Sequence, residues 1–264
     1  MTESAFRADT VKDRVVLVTG GGTGIGHEIA RCFAEHGAKI AICSRKQDVI
    51  DAATQQLIDE GHACLGLTCD VREPMQVETV MQSILKHYGR LDVVVNNAAG
   101  NFPAPMTAIS PKGFKTVVDI DLLGTYNVSR AAYDIWLGEH GGSIINISAP
   151  FERMGPVFQA HVAAAKMGVD SLTRTSAVEW GPKGIRVNGV APGPIEGTEG
   201  MSRFAELMSG DDKSPTPIGR MGTKRDIANA VLFLASDAAS FISGQVFAVC
   251  GGSSVDSMKM TLPS

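Results

Sequence analysis

Seven short runs of β-branched and apolar residues alternate with longer stretches of helical spacing, and this alternation constrains the chain more than any other feature. The runs are RVVLVT at 14–19, KIAICS at 39–44, ACLGLTC at 63–69, LDVVVN at 91–96, SIINIS at 143–148, IRVNGVA at 185–191 and QVFAVC at 245–250. They are apolar on both faces, as strands buried between two helical layers are. Helical patterns fill roughly 24–36, 46–60, 74–88, 113–138, 157–180 and 224–236. The alternation predicts an α/β fold, a parallel sheet with helices on both faces. Ligands then bind beyond the carboxyl ends of the strands. With 264 residues, 44% of them hydrophobic, the chain can build one large core, and no linker or repeat divides it. A single domain over 1–264 is expected.

Charge narrows the partners. A net charge of −4 gives no electrostatic case for nucleic acid or an anionic membrane. No apolar run approaches the roughly 20 residues of a membrane span. MTESAFRADT at the start has no cleavable targeting pattern, and TLPS at the end is no peroxisomal address, so the cytoplasm is expected. The five cysteines (32, 43, 64, 69 and 250) are odd in number, form no CxxC pair and mostly fall in apolar runs. They read as free thiols in a reducing compartment, with no metal site expected.

VTGGGTGIGHEIA at 18–30 follows the first strand and opens the first helix. Gly20, Gly22, Thr23, Gly24, Ile25 and Gly26 would let the backbone approach a pyrophosphate at the helix N-terminus. A plain tight turn is the alternative, but the place in a β-α-β unit favours a dinucleotide. At the end of the second strand stand Ser44, Arg45 and Lys46, where an enzyme using NAD usually carries an acid. A guanidinium there suits a 2′-phosphate, so NADP(H) is the expected cofactor. From 194 to 222 the pattern weakens into Gly, Pro and Ser with one short helical piece, and a lid over the active site is expected there.

TGGGTGIG, Asp70 after the third strand, NNAAG at 96–100, Lys166 and PGPI at 192–195 together resemble the short-chain dehydrogenase/reductase superfamily, over about residues 13–252. The resemblance implies a Rossmann-type doubly wound parallel sheet of order 3-2-1-4-5-6-7, usually in a homotetramer packed through the long fourth and fifth helices. It implies that Asp70 and Val71 lie near the adenine, and that Asn97, Ala98 and Ala99 border the cofactor. Lys166 would hold the nicotinamide ribose, and Pro192, Gly193 and Ile195 would lie beside the carboxamide.

The chemistry departs from that pattern. Counting from Lys166, Val162 stands for the superfamily's Tyr and Ala149 for its Ser, while Asp121 replaces Asn. Reduction of a carbonyl needs a strong proton donor at the new alkoxide, and a Tyr suits it. Hydride addition to a C=C conjugated with a thioester instead collects charge as an enolate, a weaker base. That reaction needs donors at the thioester oxygen and a proton delivered to carbon. NNAAGNF at 96–102, DIDLLGTYNVSR at 119–130, HVAAAKMGVDSLTRTSAVEWGP at 161–182 and APGPIEGTEG at 191–200 are similar to the 2,4-dienoyl-CoA reductase branch, especially its peroxisomal type.

What that resemblance implies is NADPH-dependent reduction of an acyl-CoA substrate, 2,4-dienoyl-CoA to 3-enoyl-CoA, in unsaturated fatty acid β-oxidation. Asn101 would bind the thioester oxygen, Asp121 with Lys166 would hold the protonating water, and Phe102 would line the acyl pocket. Phe151 stands near the place where the mitochondrial type has a Tyr, which favours the Asp121 route. His161 is read as bonded to a backbone carbonyl; Met201 and Met208 as lid packing or acyl contacts; Cys250 has no physical account. Three alternatives stay open: a trans-2-enoyl-CoA reductase, another short-chain oxidoreductase, and a non-catalytic NADPH-binding subunit.

Overall fold

The computed structural model describes residues 4–152, 154–205 and 216–255. Met208, the middle of the expected lid (206–215) and the TLPS terminus lie outside the described residues. The strands are β1 (Val15–Thr19), β2 (Lys39–Ser44), β3 (Cys64–Thr68), β4 (Val93–Asn96), β5 (Gly142–Ile147), β6 (Ile185–Pro192) and β7 (Val246–Val249). They form one seven-stranded sheet in the order β3-β2-β1-β4-β5-β6-β7. Every pairing is parallel. Both the order and the strand positions agree with the sequence reading.

The period of two along each strand divides the core between the two faces. Val16 and Val18 of β1, with Ile40 and Ile42 of β2, join one cluster. Helices α1 (Gly24–Glu35), α2 (Gln47–Asp59) and α9 (Lys224–Ala235) supply Ile29, Phe33, Ile50, Leu57, Val231 and Leu232 to it. Val15 and Leu17, with Ala41 and Cys43, join the opposite cluster. There α3 (Pro74–Tyr88) and α5 (Gly124–Ala132) contribute Val77, Val80, Met81, Ile84 and Val128. Full burial of each such side chain contributes about 1.5–3 kcal/mol, so the two-sided pattern demands two helical layers.

Two helical segments differ from the sequence reading in ways that shape the site. The expected helix over 113–138 starts earlier, as α4 (Pro111–Val118), because the Ser110 hydroxyl accepts from Gly113 N–H at 3.0 Å and Pro111 fits the first turn. It is then interrupted by π-helical turns at Asp119–Leu123 and Tyr133–Leu137, the second leading into α6 (Gly138–His140). The expected helix over 157–180 begins only at Ala160, as α7 (Ala160–Trp180). Phe158 sits at φ 64°, a left-handed conformation that no α-helix contains. The short helix α8 (Glu199–Ala205) follows β6. All five cysteines are free, and four of them are buried.

Candidate active site

The strand order reverses between β1 and β4, and the glycine loop lies at that switch point. Thr23 is the N-cap of α1 but makes no side-chain cap, and no acidic residue stands in the first turn. The helix therefore presents its first N–H groups and positive dipole end without an internal partner. Gly24 has φ 60°, and a Cβ added there would meet nothing within 4 Å, so the loop is open on that side. A Cβ at Gly26 would come within 2.4 Å of Gly20 O, so helix and loop touch there. An open, donor-lined turn of this kind fits a pyrophosphate.

Around the loop, Thr19 Oγ1 accepts from the N–H groups of Asn97 and Ala98, each at 3.0 Å. Asn97 Nδ2 donates to Thr19 O at 3.0 Å, which ties the end of β4 to the end of β1. Ser44 closes β2, and Arg45 and Lys46 are exposed beyond it. Across from them Arg72 grips Asp70 through Nη2 at 2.5 Å and Nε at 2.9 Å, and this holds the Asp70 carboxyl below its ordinary range. Arg45 adds to the same effect. The sequence reading missed Arg72; its spacing of two residues from Asp70 was the available signal. Val71 is buried under α5, where its carbonyl accepts from Asn127 Nδ2 at 3.0 Å. Ala99 is exposed at the mouth of the crevice.

The β6 side closes the crevice. Gly193 N–H donates to Val249 O at 3.0 Å, and a Cβ at Gly193 would lie 2.6 Å from Cys250 Cα. This close approach gives Cys250 a packing role, beside Ser254 Oγ at 3.2 Å. Pro192 ends β6, and Ile195 bridges to Gly222. The two feet of the expected lid are joined by Glu196 N–H to Gly222 O and Gly222 N–H to Pro194 O, both 2.9 Å. Met201 lies in α8, half-buried. Arg203 of α8 donates to the Asn101 carbonyl and pairs with Glu199, contacts that sequence reasoning did not find.

The reacting end lies between the first π turn and α7. Asp121 falls inside that turn and is 1% exposed. Its Oδ1 accepts from Gly100 N–H at 2.7 Å, and its Oδ2 stands 3.4 Å from Lys166 Nζ. Lys166 also donates to Ile147 O at 2.9 Å, so the ammonium is anchored between strand and turn. A π turn carries one extra residue per turn, which brings Asp121 inward against Lys166. Val162, one turn before Lys166 on α7, is buried in a small apolar cluster with Val117 and Ala165. Phe102, Phe151, Val118 and Leu122 pack on it. There is hydrocarbon where a phenol would stand. Ala149 borders a cavity of about 240 Å3 lined also by Glu152, Asp170, Ala191 and Ser254. Behind it Ser148 Oγ donates to Asp170 Oδ1 at 2.5 Å.

The strained Phe158 sets the other wall. Its carbonyl accepts from Ala104 N–H at 3.0 Å, which runs the 101–104 segment along the start of α7. Asn101 Nδ2 then reaches Gln159 Oε1 at 3.4 Å, while Asn101 Oδ1 is buried without a partner. The Phe102 ring lies against His161, with centroids 4.3 Å apart. The expected backbone partner of His161 is the Phe102 carbonyl, which faces the ring and acts on it, although neither ring nitrogen reaches full hydrogen-bond geometry. The ring sits in the first turn of α7, and its carbonyl partner comes from the neighbouring 101–104 segment.

Comparison with known proteins adds the lineage. A family model described as enoyl-(acyl carrier protein) reductase matches residues 20–254. A peroxisomal 2,4-dienoyl-CoA reductase, (3E)-enoyl-CoA-producing, of Rattus norvegicus is 47% identical over 98% of this chain and 88% of its own length. A probable 2,4-dienoyl-CoA reductase, (2E)-enoyl-CoA-producing, of Bacillus subtilis is 38% identical over 92% of this chain and 97% of its own. Among solved structures, a citronellol catabolism dehydrogenase of Pseudomonas aeruginosa PAO1 superposes with a TM-score of 0.85 at 35% identity, over 95% of this chain and 99% of that one. The chain belongs to the short-chain dehydrogenase/reductase superfamily and, within it, to the family of the 2,4-dienoyl-CoA reductases.

Proposed function

We propose that this chain reduces 2,4-dienoyl-CoA to 3-enoyl-CoA with NADPH, as a step in the β-oxidation of unsaturated fatty acids. It is an oxidoreductase acting on a CH–CH group. The observation that carries the reading is the buried Asp121–Lys166 pair beside an apolar Val162. Proton chemistry is present, and the phenol that carbonyl reduction requires is absent.

In this reading Gly20, Gly22, Thr23, Gly24, Ile25 and Gly26 hold the pyrophosphate at the N-terminus of α1. Ser44 and Arg45, with Lys46, receive the 2′-phosphate, and Asp70 and Val71 border the adenine. Asp70 keeps Arg72 in place, which adds a cation to the same end. Asn97, Ala98 and Ala99 line the middle of the cofactor. Pro192, Gly193 and Ile195 flank the carboxamide, and Lys166 meets the ribose hydroxyls. NADPH, when bound, supplies the hydride that reaches the δ carbon. The chain's own groups manage the charge that follows. Asn101 donates to the thioester oxygen, where the dienolate charge collects. Asp121 and Lys166 hold the water that protonates the α carbon. Phe102 and Phe151 line the acyl pocket.

A homotetramer belongs to the same reading, supported by exposed Leu123 just before α5, exposed Tyr126 on α5 and exposed Val178 on α7. Light scattering should give four times the chain mass.

The activity test is direct. Purified protein should consume NADPH with a 2,4-dienoyl-CoA, and NMR of the product should place its double bond at the 3 position. Turnover with 2-enoyl-CoA alone would move the assignment to a trans-2-enoyl-CoA reductase. Binding of NADPH without turnover of any acyl-CoA would make the chain a non-catalytic subunit.

A further inference from the structure

Asn101 Oδ1, Asp121 Oδ2 and the His161 ring nitrogens are all buried without a full hydrogen bond, and His161 is within reach of both the Phe102 carbonyl and the Asp121 charge. Buried polar groups are nearly always satisfied by protein, water or ligand, so such a concentration marks a place built to hold something polar. Asn101 and Asp121 already have parts in the proposed chemistry; His161 has none. It is fully buried, in the first turn of α7. Its ring lies 4.3 Å from that of Phe102, tilted by 54°. A Phe at this position would pack as well and leave no nitrogen unpaired.

We propose that His161 is a positioning residue for proton delivery: with Asp121 and Lys166, it holds the water that protonates the substrate carbon. The inference rests on the reading given under Proposed function. A buried water needs two to four polar partners. Asp121 Oδ2 offers an acceptor, Lys166 Nζ a donor 3.4 Å from it, and the imidazole a third contact. Burial lowers the ionisation of His161, against the pull of the Phe102 carbonyl and the Asp121 charge. A neutral ring leaves the Asp121 carboxylate to the water instead of pairing with it. In the step itself, a C–H bond forms at the α carbon from an O–H of that water, using the dienolate electron pair. The hydroxide left behind takes a proton from Lys166, which recovers one from solvent.

The test uses the full-length protein and compares His161→Phe with His161→Gln. His161→Phe should keep NADPH affinity and the KM for dienoyl-CoA. Its kcat should fall about 10- to 100-fold, with an enlarged solvent deuterium isotope effect. His161→Gln, which keeps a polar atom at the ring's far end, should recover much of the rate. Should the Phe variant fail to fold, the ring-nitrogen NMR shifts of the wild-type His161 decide. They should move on Asp121→Asn, and unchanged shifts overturn the assignment. A His161→Phe enzyme with wild-type kcat and isotope effect also overturns it, as does a loss confined to KM. Wild-type protein that reduces no dienoyl-CoA sinks the functional reading instead, and the NMR coupling then stands or falls alone.

Discussion

Asp121 Oδ2 and Lys166 Nζ meet 3.4 Å apart with 1% and 8% of their side chains exposed. The pair exists because a π turn rotates the carboxylate inward and because Gly100 N–H fixes its other oxygen at 2.7 Å. Asp121→Asn keeps the shape and removes the charge. We expect kcat to fall by roughly 100-fold or more, the usual scale for a lost proton-transfer group, at nearly unchanged NADPH affinity. Lys166→Ala should lose rate and cofactor affinity together. It also leaves a buried carboxylate unpaired, at a cost of about 3–5 kcal/mol visible in thermal melts. Full activity in Asp121→Asn would remove the residue from the mechanism.

Val162→Tyr restores the superfamily's side chain but not its function. Val162 is 5% exposed against Val117, Ala165 and the rings of Phe102 and Phe151. The larger ring overpacks that cluster, and overpacking costs about 1–3 kcal/mol. A lower Tm and no gain in ketone reduction are expected. A stable variant that reduces ketones efficiently would show that the missing phenol alone had set the reaction.

In the proposed reading, exposed Arg45 and Lys46 past the end of β2 select NADPH over NADH. Arg45→Ala should raise the Kd for NADPH about tenfold or more, since a hydrogen bond between charged groups contributes about 1.5–3 kcal/mol. NADH affinity should hardly change. Equal losses for both cofactors in a titration would place Arg45 away from the 2′-phosphate.

Asp170 gives a pH dependence whose sign can be worked out. Burial raises its carboxyl above the ordinary value of 3.8, although the Ser148 hydroxyl opposes this. A raised folded-state value means its stability contribution is present below the unfolded value and lost as pH rises through the folded one. Ionised Asp170 therefore weakens the fold at neutral pH. Asp170→Asn, which can still accept from Ser148, should raise Tm at neutral pH and converge with wild type in acid. A variant less stable than wild type at neutral pH would contradict this account.

The strands and the glycine loop were legible because their signals are local. Two-faced apolar runs such as VVLVT and SIINIS can be buried only between two layers, and TGGGTGIG needs only its neighbours to turn. The replaced residues, Val162, Ala149 and Asp121, were equally plain. Less visible were the places where a long-range contact overrides helical spacing. DIDLLG reads as ordinary helix, yet packing against α7 and the hydrogen bond from Gly100 draw it into a π turn. FQAHV reads as a helix start, yet Phe158 turns left-handed to accept from Ala104 and delays α7 to Ala160.

The sequence by itself determined the parallel sheet, the dinucleotide loop and the absence of a catalytic phenol, because each depends on residue type and short-range period. Tertiary structure alone decided that Asp121 meets Lys166 and that the His161 ring stands against Phe102. Those relationships join residues from different elements, and their distances follow from how sheet, π turn and helix pack rather than from any spacing along the chain.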